Sequence, residues 1–170
     1  THTLFKTTNN AMKNFFALAF ALTFAFAATT ASAQSNTATQ NVSINVAEIA
    51  VIAVTGNISM TINAATAGQA PDAATASSSY NVTTNGTDKK ITAELDAAMP
   101  TGLTLNATMA APEGAESEGK QALSETAVNL VTGITQVRGT GLSLNYEAVA
   151  TVDADPDSYT RTVTYTITNN

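Results

Sequence analysis

The stretch that decides the fold class is residues 160–168, TRTVTYTIT. Threonine occupies every second position, and Arg161, Val163, Tyr165 and Ile167 stand between the threonines. Successive side chains of a β-strand point to opposite faces, so this alternation predicts a strand with one buried and one solvent-facing side. Thr and Val also favour the pleated surface of a sheet.

Similar short apolar segments, separated by turn residues, recur toward the N-terminus. The continuous apolar run at residues 49–54 (IAVIAV) predicts a strand covered on both faces. Asn85-Gly86 predicts a type I′ hairpin turn between residues 80–84 and 87–95. Other strands are predicted at residues 42–46, 57–62, 103–109 and 142–152, a strand or short helix at 122–131, and loops at 64–79, 112–120 and 153–158.

Seven or eight short strands without a long amphipathic helix predict an all-β fold. We expect a single antiparallel β-sandwich.

Residues 12–33 have the organisation of a secretory signal peptide. Met12-Lys13 forms a positive n-region, residues 15–28 are apolar except for Thr23, and Ala31-Ser32-Ala33 matches a cleavage site. A membrane span needs about 20 apolar residues, more than this run supplies. The sequence therefore predicts an upstream read-through or fragment at 1–11, a cleaved signal peptide at 12–33 and a β-sandwich domain at 34–170.

This division predicts a secreted protein, located extracellularly, at the cell surface or in the periplasm. The mature chain is not expected to span a membrane. It has five basic and thirteen acidic residues, a net charge of −8, which argues against a nucleic-acid partner. Only 26 of its 137 residues are Val, Ile or Leu, and its only aromatics are four tyrosines, so the core is expected to be thin.

Residues 34–170 contain neither His nor Cys. This excludes Ser-His-Asp and Cys-His catalysis and the usual zinc sites, and it leaves no disulfide framework. We therefore expect a protein that is not an enzyme.

The best candidate for a group of metal ligands consists of Asp153, Asp155 and Asp157. Alternating carboxylates of this kind suit a hard cation such as calcium, which takes six to eight oxygen ligands. The same residues around Pro156 are also ordinary turn formers. Calcium is thus the one cofactor that the sequence suggests, with a simple turn as the alternative.

Several segments carry a resemblance to known proteins: residues 41–54 (NVSINVAEIAVIAV), 99–109 (MPTGLTLNATM), 129–134 (NLVTGI) and 158–170 (SYTRTVTYTITNN). They resemble small uncharacterised secreted proteins of Gram-negative bacteria. The last of them is similar to the terminal strand of fimbrial-type and spore-coat-U-type subunits. The resemblance implies an immunoglobulin-like or fimbrial-like sandwich that is closed by a tyrosine-led, Thr-alternating strand. It carries no catalytic motif.

These features favour a structural or adhesive cell-surface protein, with self-association or another surface protein as its partner. The alternating residues 40–46 could complete a neighbour's sheet by strand addition, or they could pair within their own domain. The alternative function is a monomeric extracellular module that binds glycan or calcium through residues 153–159 and 112–120.

Overall fold

The fold is described by a computed structural model over residues 36–170. The predicted upstream segment 1–11 and signal peptide 12–33 lie outside the described residues. The chain divides into two units, Thr1–Ile44 and Asn45–Asn170. The described part of the first, residues 36–44, is exposed and contains no strand, and the strands belong to the second.

Within residues 36–170 there are nine strands and no helix, and hence no helix long and apolar enough to cross a membrane. The strands are β1 (Ala50–Val54), β2 (Ala74–Thr84), β3 (Lys89–Leu95), β4 (Leu103–Met109), β5 (Glu116–Ser117), β6 (Lys120–Ala122), β7 (Val128–Ile134), β8 (Val137–Ala150) and β9 (Val163–Asn169).

The nine strands form two antiparallel sheets. The five-stranded sheet has the order β1-β2-β8-β4-β6, and the four-stranded sheet has the order β5-β7-β3-β9. All pairings of named strands are antiparallel. The predicted all-β antiparallel sandwich is therefore confirmed, with nine strands where seven or eight were expected.

The core lies between the inner faces of the two sheets. In β3, β4 and the second half of β8, the more buried residues alternate with the less buried ones, as expected for strands with one face in a core. The largest fully buried side chains come from both sheets: Tyr80, Ile91, Met109, Leu130, Ile134, Leu144, Val82 and Val131.

The strand at residues 160–168 is confirmed in its alternation, although β9 begins only at Val163. Val163, Tyr165 and Ile167 are half-buried against the core, and the threonines between them are exposed. Before the strand, the Arg161 guanidinium donates hydrogen bonds to the carbonyl of Ala98 from Nε (3.0 Å) and Nη2 (2.8 Å). Arg161 thus fixes the approach to β9 instead of continuing its inner face.

The predicted Asn85-Gly86 hairpin is wrong. β2 belongs to the five-stranded sheet and β3 to the four-stranded sheet, so residues 85–88 carry the chain from one sheet to the other. In this connection Asp88 has the positive φ of 50°, and the two positive φ angles of a type I′ turn at Asn85 and Gly86 are not found in the described chain. Turn chemistry is local, but the partners of β2 and β3 are set by distant strands.

Two strand predictions near the N-terminus are also wrong. Residues 42–46 and 57–62 contain no strand. Ile58 and Met60 still pack against the core. The alternating pattern therefore indicated correctly that one side of this segment is buried, but it did not show whether the backbone pairs with another strand.

The apolar run at 49–54 forms β1, but as an edge strand and not a strand covered on both sides. Val51 is 55% exposed, since β1 pairs with β2 alone and its outer face has no covering layer within the described residues.

The remaining differences concern the limits of strands. Residues 74–79, predicted as loop, belong to β2, and residues 116–117 of the predicted acidic loop form β5. The ambiguous 122–131 segment contributes to a strand, β7, and not to a helix.

Replacement of Leu130 by Ala tests the position of the core. Leu130 is fully buried, so Leu130→Ala should lower the free energy of unfolding by about 2–5 kcal/mol. Val152→Ala is the matched control, because Val152 is 81% exposed and its loss should change stability by less than about 0.5 kcal/mol. Urea denaturation of both variants measures the difference, and equal effects would contradict the assigned core.

Candidate functional site

The exposed apolar side chains of the described chain are concentrated in one short interval. Of six large apolar residues exposed in residues 36–170, five lie between positions 42 and 51. Single exposed apolar residues are common on protein surfaces, but a concentration of them marks an interaction site. The exposed fractions of Val42 (75%), Ile44 (82%) and Val46 (75%) show that the apolar side of this alternating segment is accessible.

Just after this segment, the side chain of Asn85 fixes the chain to the sandwich. Asn85 Oδ1 accepts a hydrogen bond from the backbone N–H of Ile49 (2.6 Å), and Nδ2 donates to the carbonyl of Ala47 (2.8 Å). The backbone N–H of Asn85 also donates to the carbonyl of Ile49 (3.2 Å). A carboxamide has both an acceptor and donors, so the Asn85 side chain satisfies the backbone N–H of Ile49 and the carbonyl of Ala47, as a neighbouring strand would.

β1 and β9 are edge strands that contact each other on the same side of the sandwich. Within the described chain β9 forms its ladder with β3 alone, and β1 forms its ladder with β2 alone. An edge strand presents backbone N–H and C=O groups that a further strand can bind. β1 and β9 therefore each have one ladder partner within residues 36–170.

The first residue of β3, Lys89, is only 7% exposed although it is charged. Its Nζ forms an ion pair with Glu48 and donates a hydrogen bond to the side-chain carbonyl of Asn169. Lys89 and Asn169 are register partners on the adjacent strands β3 and β9. The three side chains line a shallow cleft of about 390 Å3.

Gly86 lies against this cluster. A Cβ atom at position 86 would lie 2.6 Å from Cε of Lys89 and 2.8 Å from Oε1 of Glu48. Any larger residue would therefore displace the side chains of both Lys89 and Glu48. Gly86 thus allows the side chains of Lys89 and Glu48 to pack closely against the backbone. It does not adopt the type I′ turn conformation that the sequence suggested.

Two tyrosines join the sheets inside the sandwich. The hydroxyls of Tyr146 on β8 and Tyr165 on β9 lie 2.5 Å apart. Burial raises the pKa of both phenols, and the hydrogen bond to Tyr146 raises that of Tyr165 further while the same bond opposes the rise at Tyr146. At neutral pH the pair is protonated and acts as a structural link.

The three predicted calcium ligands lie in the exposed loop between β8 and β9, and the structure does not gather them into a site. Asp157 Oδ1 accepts from the N–H of Ser158 (2.7 Å), and the carbonyl of Asp155 accepts from the hydroxyl of Tyr159 (2.9 Å). Asp153 is bonded within its own turn through Thr151. Over residues 36–170 no group of three or more His, Cys, Asp or Glu is placed to hold a metal ion. Calcium binding stays a prediction from the sequence.

Comparison with known proteins assigns the chain to no family. No protein-family model matches the chain, and a search of curated proteins finds no similar sequence.

The sequence reasoning missed the cluster of Glu48, Lys89 and Asn169. A signal was present, because Lys89 is in phase with Ile91, Ala93 and Leu95 on the buried side of β3. A charged residue on the apolar side of an amphipathic strand requires a partner, since an unpaired buried ammonium is costly. The partners lie 41 and 80 positions away and could not be identified from local pattern.

Alkaline pH should weaken the fold through the buried phenols. Burial raises the pKa of Tyr80 from 10.0 to about 12. Between these values the unfolded state binds fewer protons than the folded state, so stability falls as pH rises. The ionisation of Tyr80 alone should lower the free energy of unfolding by roughly 3 kcal/mol across this range. Urea denaturation at pH 9 to 12 measures the fall.

Tyr80→Phe is the control for this pH effect. It removes the phenol proton and the hydrogen bond to the carbonyl of Ala110. The variant should therefore be less stable at pH 9 but lose less stability above pH 10 than the wild type. An identical pH dependence in both proteins would contradict the role of Tyr80.

Proposed function

We propose that this protein is a secreted structural or adhesive subunit of the cell surface that self-associates by strand addition. In this proposal residues 40–46 of one copy bind along β9 of the next. Export is supported by the charged, apolar and small-residue regions at residues 12–33.

The proposal rests on one observation: residues 42–46 alternate as a strand does, yet they form no strand and expose their apolar side. Covering Val42, Ile44 and Val46 in an interface gains about 25 cal/mol for each Å2 of apolar surface removed from water. Pairing with an edge strand also gives the segment a ladder of backbone hydrogen bonds.

β9 suits this segment in length and pattern. Both are seven residues long, and both alternate polar with apolar side chains. When the segment lies beside β9, its apolar residues can extend the half-buried row of Val163, Tyr165 and Ile167. Its Asn and Ser residues then join the exposed threonines, which keeps polar groups in water.

Charge placed on the apolar side of the segment should prevent assembly. Ile44→Asp introduces a carboxylate into the proposed interface, so we expect at least a tenfold weaker self-association, corresponding to 1.4 kcal/mol or more. Ser43→Asp is the matched control, since it adds the same charge on the polar side of the same segment. Sedimentation velocity and electron microscopy of the exported protein measure the size of the assemblies.

The two variants separate strand addition from general charge repulsion. Assembly lost in Ile44→Asp and retained in Ser43→Asp supports the proposal. A wild-type protein that stays monomeric at high concentration would overturn it, as would equal assembly of Ile44→Asp and wild type.

A further inference from the structure

We propose that Lys89 and Asn169 become joined by an amide bond between their side chains, with Glu48 assisting the reaction. The product is an intramolecular cross-link between the start of β3 and the end of β9. This modification is independent of strand addition and requires only the folded chain.

The reacting groups are already in contact. Nζ of Lys89 donates to Oδ1 of Asn169, which brings the amine next to the carboxamide carbon to which that oxygen is bonded. The same Nζ is ion-paired with Oε1 of Glu48. The amine therefore lies between a carboxylate that can accept its proton and a carbonyl carbon that it can attack.

The fold holds these groups together before any reaction. Lys89 and Asn169 are directly opposite in the β3–β9 ladder, and Lys89 is buried. Glu48 follows Ala47 and precedes Ile49, both of which are bonded to the side chain of Asn85. Such fixed proximity can accelerate an intramolecular reaction by many orders of magnitude, because orientation has already been achieved by folding.

The reaction needs no oxidant or external reagent. Glu48 accepts a proton from the Lys89 ammonium, and the Nζ lone pair attacks Cγ of Asn169. The Nζ–Cγ bond forms, the Cγ–Nδ2 bond breaks, and Nδ2 leaves. Two of the three ammonium protons depart with Nδ2, partly by way of Glu48. The products are a secondary amide and one ammonium ion, so atoms and charge balance and no atom changes oxidation state.

The site also allows the product to leave. The cleft beside Glu48, Lys89 and Asn169 opens to solvent, and the side chain of Glu48 is 60% exposed. The released ammonium can diffuse away, which makes the reaction irreversible in dilute solution.

The bond would close a loop spanning 80 positions in a chain that has no cysteine. A covalent link across so long a loop restricts the unfolded chain as a disulfide does. It would also tie the end of β9 to the start of β3 beside Val46 and Ala47. Unlike a disulfide, an amide resists reducing agents.

Intact-mass spectrometry of the denatured full chain tests the proposal. The wild type should be lighter than its sequence mass by one ammonia. Lys89→Met, Asn169→Ala and Glu48→Gln should each have the full sequence mass or approach the loss much more slowly. Lys90→Ala is the matched control, because Lys90 faces Thr168 in the ladder and should leave the loss intact.

Asn169→Asp gives a second readout that merely structural effects cannot imitate. With a carboxyl group at position 169 the same bond releases water, so the mass loss should change from one ammonia to one water. Proteolysis should yield a branched peptide containing Lys89 and residue 169, with no cleavage by trypsin after Lys89.

Two other positions can also lose ammonia, and the variants distinguish these losses from the cross-link. Gln34 can cyclise if it becomes the N-terminus, and Asn85-Gly86 can form a succinimide. Either loss would persist in Lys89→Met. Full sequence mass in the wild type after prolonged incubation, a loss in Lys89→Met as large as that in the wild type, or a branched peptide lacking Lys89 would overturn the proposal. Assembly of the wild type without the mass loss would leave strand addition standing and remove only the cross-link.

Discussion

The hydrogen bonds of Asn85 to the backbone on both sides of Glu48 fix where the folded domain begins. They align Ala47 and Ile49 with the connection between the two sheets. The same connection holds the other end of the domain, because Asp88 binds the backbone and side chain of Asn170. Glu48, which lies between the two bonded residues, forms an ion pair with Lys89 at the start of β3, and β3 pairs with β9.

Tyrosines supply the largest side chains of the core. The sandwich has no phenylalanine or tryptophan in its described residues and uses Tyr80, Tyr146 and Tyr165 as its large side chains. Each of these tyrosines carries a hydroxyl that needs a partner, and the structure supplies the carbonyl of Ala110 for the first and a mutual bond for the other two. The bond between Tyr146 and Tyr165 joins the two sheets and helps to specify how they are aligned, whereas the bond of Tyr80 to Ala110 lies within the five-stranded sheet.

Local pattern predicted the fold class because β3, β4 and β9 alternate strongly and their apolar sides are buried. It failed at residues 42–46 and at Asn85-Gly86 for one physical reason. Alternation and turn residues report what a segment favours, but the partner of a strand is decided by chain segments far away. The contact of Lys89 with Asn169 is of the same long-range kind. The strand-like segment at 42–46 likewise forms no strand within the described residues, although its local pattern favours one.

Residue-resolved hydrogen exchange, measured from dilute to concentrated protein, tests the central claim that the chain is fixed from residue 47 onward while residues 42–46 await a second copy. The amide of Ile49 should be protected at every concentration, because it donates to Asn85. Amides of residues 42–46 and those on the outer edge of β9 should become protected together, and only where larger species form. Protection of residues 42–46 in the dilute monomer, or their continued rapid exchange in the assembled protein, would contradict the account.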